Sequence, residues 1–143
     1  MSTAAHWYDH GLLHVMTDTN FLTDTIKASF HTVSYVPTKA TDEFFSTVTN
    51  EVTGTGYTAG GITLTSKTAS TSGGVVAFFC ANPIQWVTST ISGQIVVFRK
   101  DTGTSSTSPV LWWYDAGALT SSTSPSSLVI TVDATGLITN TAS

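Results

Sequence analysis

A chain of 143 residues is the size of one domain with one core, and folding should remove roughly 65–70% of its unfolded-chain surface from water. Only 10% of the residues are charged, five Lys and Arg against nine Asp and Glu, and a net charge of −4 does not supply the phosphate-driven attraction behind non-specific nucleic-acid binding. No segment approaches the roughly 18 consecutive apolar residues of a membrane span, so the chain is expected to take neither nucleic acid nor membrane as a direct partner.

Ser and Thr supply about a third of the residues, so hydroxyls have to build the polar surface. Thr is β-branched and suits a pleated strand, which points to an all-β fold. The N-terminus, MSTAAHWYDHGLLHVM, lacks the basic region followed by an apolar stretch that marks a secretory signal, which predicts synthesis in a cytoplasm. His6, Trp7, His10, Leu13, His14 and Val15 recur at helix-like intervals, although Gly11 weakens a helix by about 1 kcal/mol. Residues 1–20 therefore read as an N-terminal arm or short helix, and residues 21–143 as a single β domain.

Within TDTIKASFHTVSY, Ile26, Ala28 and Phe30 alternate with Lys27, Ser29 and His31, the period of two expected of a half-buried strand. Pro37 ends that segment, and TKATDEFFSTV offers Thr41 or Asp42 as the cap of one or two helical turns. Strand patterns follow in GITLTSKT, GGVVAFFCA, IQWVTSTI, GQIVVFRK, PVLWWYDAG, SLVITVD and GLITNTA. Ser92 and Gly93 are expected to turn the chain between two of them, as is Asp133 to Gly136 near the end. DTGTSSTSP and ALTSSTSPSS read as solvated loops. About eight mostly antiparallel strands with one or two short helices predict a sandwich or flattened barrel.

Gly54, Gly56 and Ala59 in EVTGTGYTAGGITLTSKTAS fit the loose spacing of a dinucleotide loop. That loop needs a following helix and an acidic residue about twenty positions on; here a strand pattern follows, and no Asp or Glu occurs between Glu51 and Asp101. The glycines therefore predict backbone shape, and no cofactor is expected. His6, His10 and His14 stand four apart, a spacing that on a helix can share a metal, but Gly11 interrupts the row and solvated or interface histidines are the expected reading. No GxSxG elbow occurs, and Asp101, Asp115 and Asp133 sit where strands meet turns, so no catalytic residues are assigned. Cys80, inside VVAFFCA, reads as a small buried hydrophobe.

If Trp112 and Tyr114 fill the core, strand alternation turns Trp113 outward. There it is covered by other parts of the chain, anchors a partner or subunit, or stacks on a sugar. Trp7, Tyr8 and Leu12 are assigned with Trp113 to partner or subunit contact, because an apolar arm that cannot join a core buries elsewhere. On that reading, deletion of residues 1–15 leaves the fold intact and abolishes partner binding or oligomerisation.

Four marks stand in order along the chain: D-T-I-K at Asp24 to Lys27, G-x-G-Y-x-x-G-G at Gly54 to Gly61, K-D-T-G at Lys100 to Gly103, and D-x-T-G at Asp133 to Gly136. Together, and over about Phe21 to Thr139, they make the chain resemble a family of small structural proteins of tailed bacteriophages. The resemblance implies a non-enzymatic virion protein, made in the bacterial host cytoplasm. It would be a capsid decoration (cement) protein, with a tail or head-to-tail connector component as the alternative inside the virion. Apart from the resemblance, an outward Trp113 that stacks on a sugar keeps a glycan-binding β-sandwich module as the alternative outside it. The partners implied by the resemblance are the major capsid protein or other virion proteins and further copies of the chain, as a homo-oligomer such as a trimer.

Overall fold

The computed structural model describes residues 5–141, and in it ten strands and one α-helix form an all-β, sandwich-like fold. In chain order these are β1 (Ala5–Trp7), α1 (Asp9–Thr17), β2 (Ile26–His31), β3 (Ile62–Thr63), β4 (Thr68–Ser72), β5 (Val75–Phe79), β6 (Ile84–Trp86), β7 (Ile91–Lys100), β8 (Val110–Ser122), β9 (Leu128–Ile130) and β10 (Ile138–Thr141). The main sheet has the order β1-β8-β7-β2-β3, accompanied by a β10-β5-β4 sheet and a β6-β9 pair; every pairing is antiparallel, and no described sheet closes into a barrel.

Alternation decides what each sheet buries. Ile26, Ala28 and Phe30 of β2, Val96 and Phe98 of β7 and Trp112 of β8 share one core with Ile84, Trp86, Leu128, Ile130 and Ile138 of the smaller sheets. Trp112 is fully buried and stacks on Phe98 at 5.0 Å between ring centroids. On the other face of the main sheet, Ile95, Val97 and Val110 form a second cluster with Tyr8 and Tyr35, against which Phe45, Val48 and Trp113 pack. Tyr35, Phe45 and Val48 bring residues 32–50 onto this cluster as a strap across the sheet.

Three expectations are corrected. Ser92 and Gly93 lie inside β7, where the register with β8 shifts between Gly93 and Ile95, so the glycine belongs to a bulge and not to a turn. Ala118 to Ser122 extend β8, since Ile91, Ser92 and Gly93 pair with Ser122, Ser121 and Thr120. The helix expected after Pro37 is a single 3₁₀ turn, Phe45–Thr47. Asp42 does not cap it through a backbone N–H, because its Oδ2 accepts instead from Thr38 N at 2.9 Å and from the Tyr35 hydroxyl at 2.9 Å.

Candidate partner-binding surface

β1 adds to the edge of the main sheet with Ala5 opposite Tyr114, His6 opposite Trp113 and Trp7 opposite Trp112. Tyr8 N then donates to Leu111 O at 3.1 Å, and α1 begins at the next residue. Gly11, a weak helix former, allows this junction: a Cβ there would stand 2.1 Å from Leu111 O, so only glycine lets α1 lie directly on the β8 backbone. Trp7 points to the main core, edge-on to Trp112 at 5.4 Å, and its Nε1 donates to Thr139 O of β10 at 3.1 Å. His6 and Tyr8 point the other way, onto Trp113, with ring centroids at 5.2 and 4.6 Å.

Tyr8 is fully buried. Its hydroxyl lies 2.7 Å from that of Tyr35, whose own proton goes to Asp42 Oδ2, so Tyr8 is the donor of the pair. Burial raises both phenols well above the usual tyrosine range, and they stay protonated as a structural clamp between β1 and the strap. This corrects the reading of Tyr8 as a partner contact and of the N-terminal segment as an arm that cannot join a core. Removing residues 1–15 takes away an edge strand and a core side chain, so that deletion does not separate binding from folding.

The four residues assigned from the sequence nevertheless meet. Trp7, Tyr8, Leu12 and Trp113 line one depression of about 520 Å³, with His6, Pro37 and Lys39 among the other lining residues. Tyr8 forms part of its floor, while Trp7, Leu12 and Trp113 are half-buried and His6 is exposed. An ion pair between Lys39 and Asp9 stands on the rim. A smaller apolar hollow of about 130 Å³ shares Trp7 and Leu12 and continues along α1 past Val15, Met16, Val76 and Phe78. Such a surface suits an apolar or aromatic side chain with a polar flank. Trp113 is covered within the chain by Tyr8 and His6, which leaves less of its ring free for a sugar. Pro37 and Lys39 reach the depression only because the strap docks across the sheet, a tertiary event with no local sequence signal.

The other chemistry-bearing groups take internal roles. His6 lies on β1, apart from His10 and His14 on α1. His14 Nδ1 is 2.9 Å from Asp18 Oδ1 and its Nε2 3.4 Å from Glu43 Oε1, and the hydrogen bond from His14 holds the Asp18 carboxyl below its usual range. Among the described residues no group of three or more His, Cys, Asp or Glu is placed to hold a metal. Ser29 Oγ and His31 Nε2 are 2.8 Å apart, a nucleophile-and-base geometry that sequence reading passed over, with His31 Nδ1 donating to Thr49 O at 2.9 Å. Both residues are fully buried, so the pair serves to tie the strap to β2. Cys80 is half-buried, and burial pushes its thiol up to about 11, which keeps it protonated at neutral pH.

The glycine loop and the other marks make contacts within the fold. Glu51 Oε1 accepts from the Tyr57 hydroxyl at 2.6 Å and Gly60 N at 2.7 Å, which folds the loop onto itself. At Gly61 φ is +83° and a Cβ would stand 1.9 Å from Ala28 O; β3 follows, not a helix. D-T-I-K and K-D-T-G interlock through Lys27 Nζ to Asp101 Oδ2 at 2.9 Å and Lys100 Nζ to Asp24 Oδ2 at 3.2 Å, around the β2–β7 register of Ile26 with Lys100. In D-x-T-G, Asp133 Oδ1 accepts from Thr135 N at 2.9 Å and closes the turn before β10. Comparison of the chain with protein-family models, with curated proteins and with solved structures finds no match.

Proposed function

We propose that the chain is a non-enzymatic structural protein of a tailed-bacteriophage virion that binds the head shell as a decoration (cement) protein, through the depression bounded by Trp7, Leu12 and Trp113. The observation that carries this reading is the interlock of the sequence marks. Asp24, Lys27, Lys100 and Asp101 hold each other across two paired strands, and the Gly54 to Gly61 loop is closed by Glu51. Side chains that lock paired strands and a loop to one another give a fixed outline, which suits a protein presented in many copies.

The depression suits the same task. Its aromatic and aliphatic side chains are held by a sheet on one side and a clamped strap on the other, so little ordering is needed on binding. Each contact is modest, and repetition over a shell turns modest contacts into mechanical resistance through multivalency.

The test uses head shells prepared without the protein. Wild-type protein should saturate them, and Leu12→Glu, which places a carboxylate in a half-buried apolar site, should bind at least tenfold more weakly while keeping the wild-type circular dichroism spectrum. Undiminished binding by a folded Leu12→Glu variant would remove the depression from the proposal, and failure of the wild type to bind any shell would remove the decoration role.

A further inference from the structure

β4 pairs on one side only, with β5, and its five residues Thr68-Ala69-Ser70-Thr71-Ser72 are all exposed. Among the described strands that end a sheet it is the longest: β1, β6 and β9 have three residues, β3 two and β10 four. Its ladder with β5 runs from Thr68 opposite Phe79 to Ser72 opposite Val75 without a register shift. An edge without a bulge presents a row of unpaired N–H and C=O groups, which folded monomers ordinarily blunt with Lys, Pro, a bulge or a cover. β4 contains no charge and no proline.

The residues of the edge select its occupant. An extended backbone satisfies the open row, and a second β4 running antiparallel about a two-fold axis sets Ser70 opposite Ser70, Ala69 opposite Thr71 and Thr68 opposite Ser72. Every opposed pair then consists of hydroxyl or methyl groups, with no like charges facing one another, and opposed Thr and Ser side chains favour pairing. Alternation puts Ala69 and Thr71 on the same side of the sheet as Val76 and Phe78. On that side an open hollow of about 560 Å³ is bordered by Ala69, Phe78, Met16 and Leu22, and Met16, Leu22 and Val76 are 75%, 50% and 43% exposed. These side chains offer apolar area beside the new ladder.

We propose that two copies of the chain associate through β4, centred on Ser70, and join their β10-β5-β4 sheets into one continuous sheet across a two-fold axis. The inference is independent of the virion reading, since it concerns the protein alone in solution. Size-exclusion chromatography with light scattering tests it on four samples at micromolar concentration: wild type, Ser70→Lys, Ser70→Glu and an equimolar mixture of the two variants. Ser70 is exposed, so each variant keeps the fold, which circular dichroism checks. The wild type should be a dimer and each variant alone a monomer, because like charges would meet at the axis; the mixture should recover the dimer mass. A monomeric or trimeric wild type, a dimer of Ser70→Lys alone, or a mixture that stays monomeric would each overturn the proposal.

Discussion

Replacing Tyr8 separates the docked N-terminal strand of the structure from a loose arm. Tyr8→Ala removes a fully buried ring that packs on Trp113 at 4.6 Å and belongs to the cluster of Ile95, Val97 and Val110. Truncation of a buried aromatic costs about 3–5 kcal/mol, transfer and cavity together. Tyr8→Phe keeps the ring and loses only the donation to Tyr35, whose own bond to Asp42 survives, so its cost is about 1 kcal/mol. For a chain of this size 1 kcal/mol moves Tm by roughly 2–4 °C, which puts Tyr8→Ala on the order of 10 °C below wild type and Tyr8→Phe a few degrees below. Urea unfolding followed by tryptophan fluorescence gives both free-energy costs, and a thermal scan gives both Tm shifts. A Tyr8→Ala variant within about 0.5 kcal/mol of wild type, the range of an ordinary surface change, would refute the docking of β1 and its clamp.

Two more predictions concern the same layers. Gly11→Ala, stabilising in an isolated helix, should destabilise this protein by about 1–3 kcal/mol, because the added methyl meets Leu111 O at 2.1 Å; an increase in Tm would contradict the close approach of α1 to β8. Burial lowers the His31 pKa from 6.5, so between that value and the folded one the unfolded chain binds more protons, and stability should fall as pH drops below 6.5. His31→Gln should flatten that part of the curve when urea midpoints are measured from pH 7.5 to 5, and an unchanged slope would assign the titration to other groups.

Much of the β architecture could be read from alternation. Ile26, Ala28 and Phe30 face the core as their spacing predicts, and the contrast between Trp112 and Trp113 follows from their adjacency on β8. The turn at Asp133 to Gly136 was equally legible, since Asp and Gly occupy the positions that need them. β4 was not, because its five exposed residues carry no apolar alternation. β1 was hidden by the spacing of His6, His10 and His14, which suggests one helix across a point where Tyr8 instead turns into the sheet. Trp7, Tyr8, Leu12 and Trp113 are legible as apolar groups in search of cover, but no local pattern signals that Tyr8 is claimed by Tyr35 and Asp42, a contact made between distant segments.

A density map of the intact virion at moderate resolution tests the central proposal most directly. Decoration predicts copies of this fold distributed over the whole head, with the depression of Trp7, Leu12 and Trp113 turned toward the shell protein. Density confined to the tail or a single vertex, or no density for the chain on the particle, would contradict it.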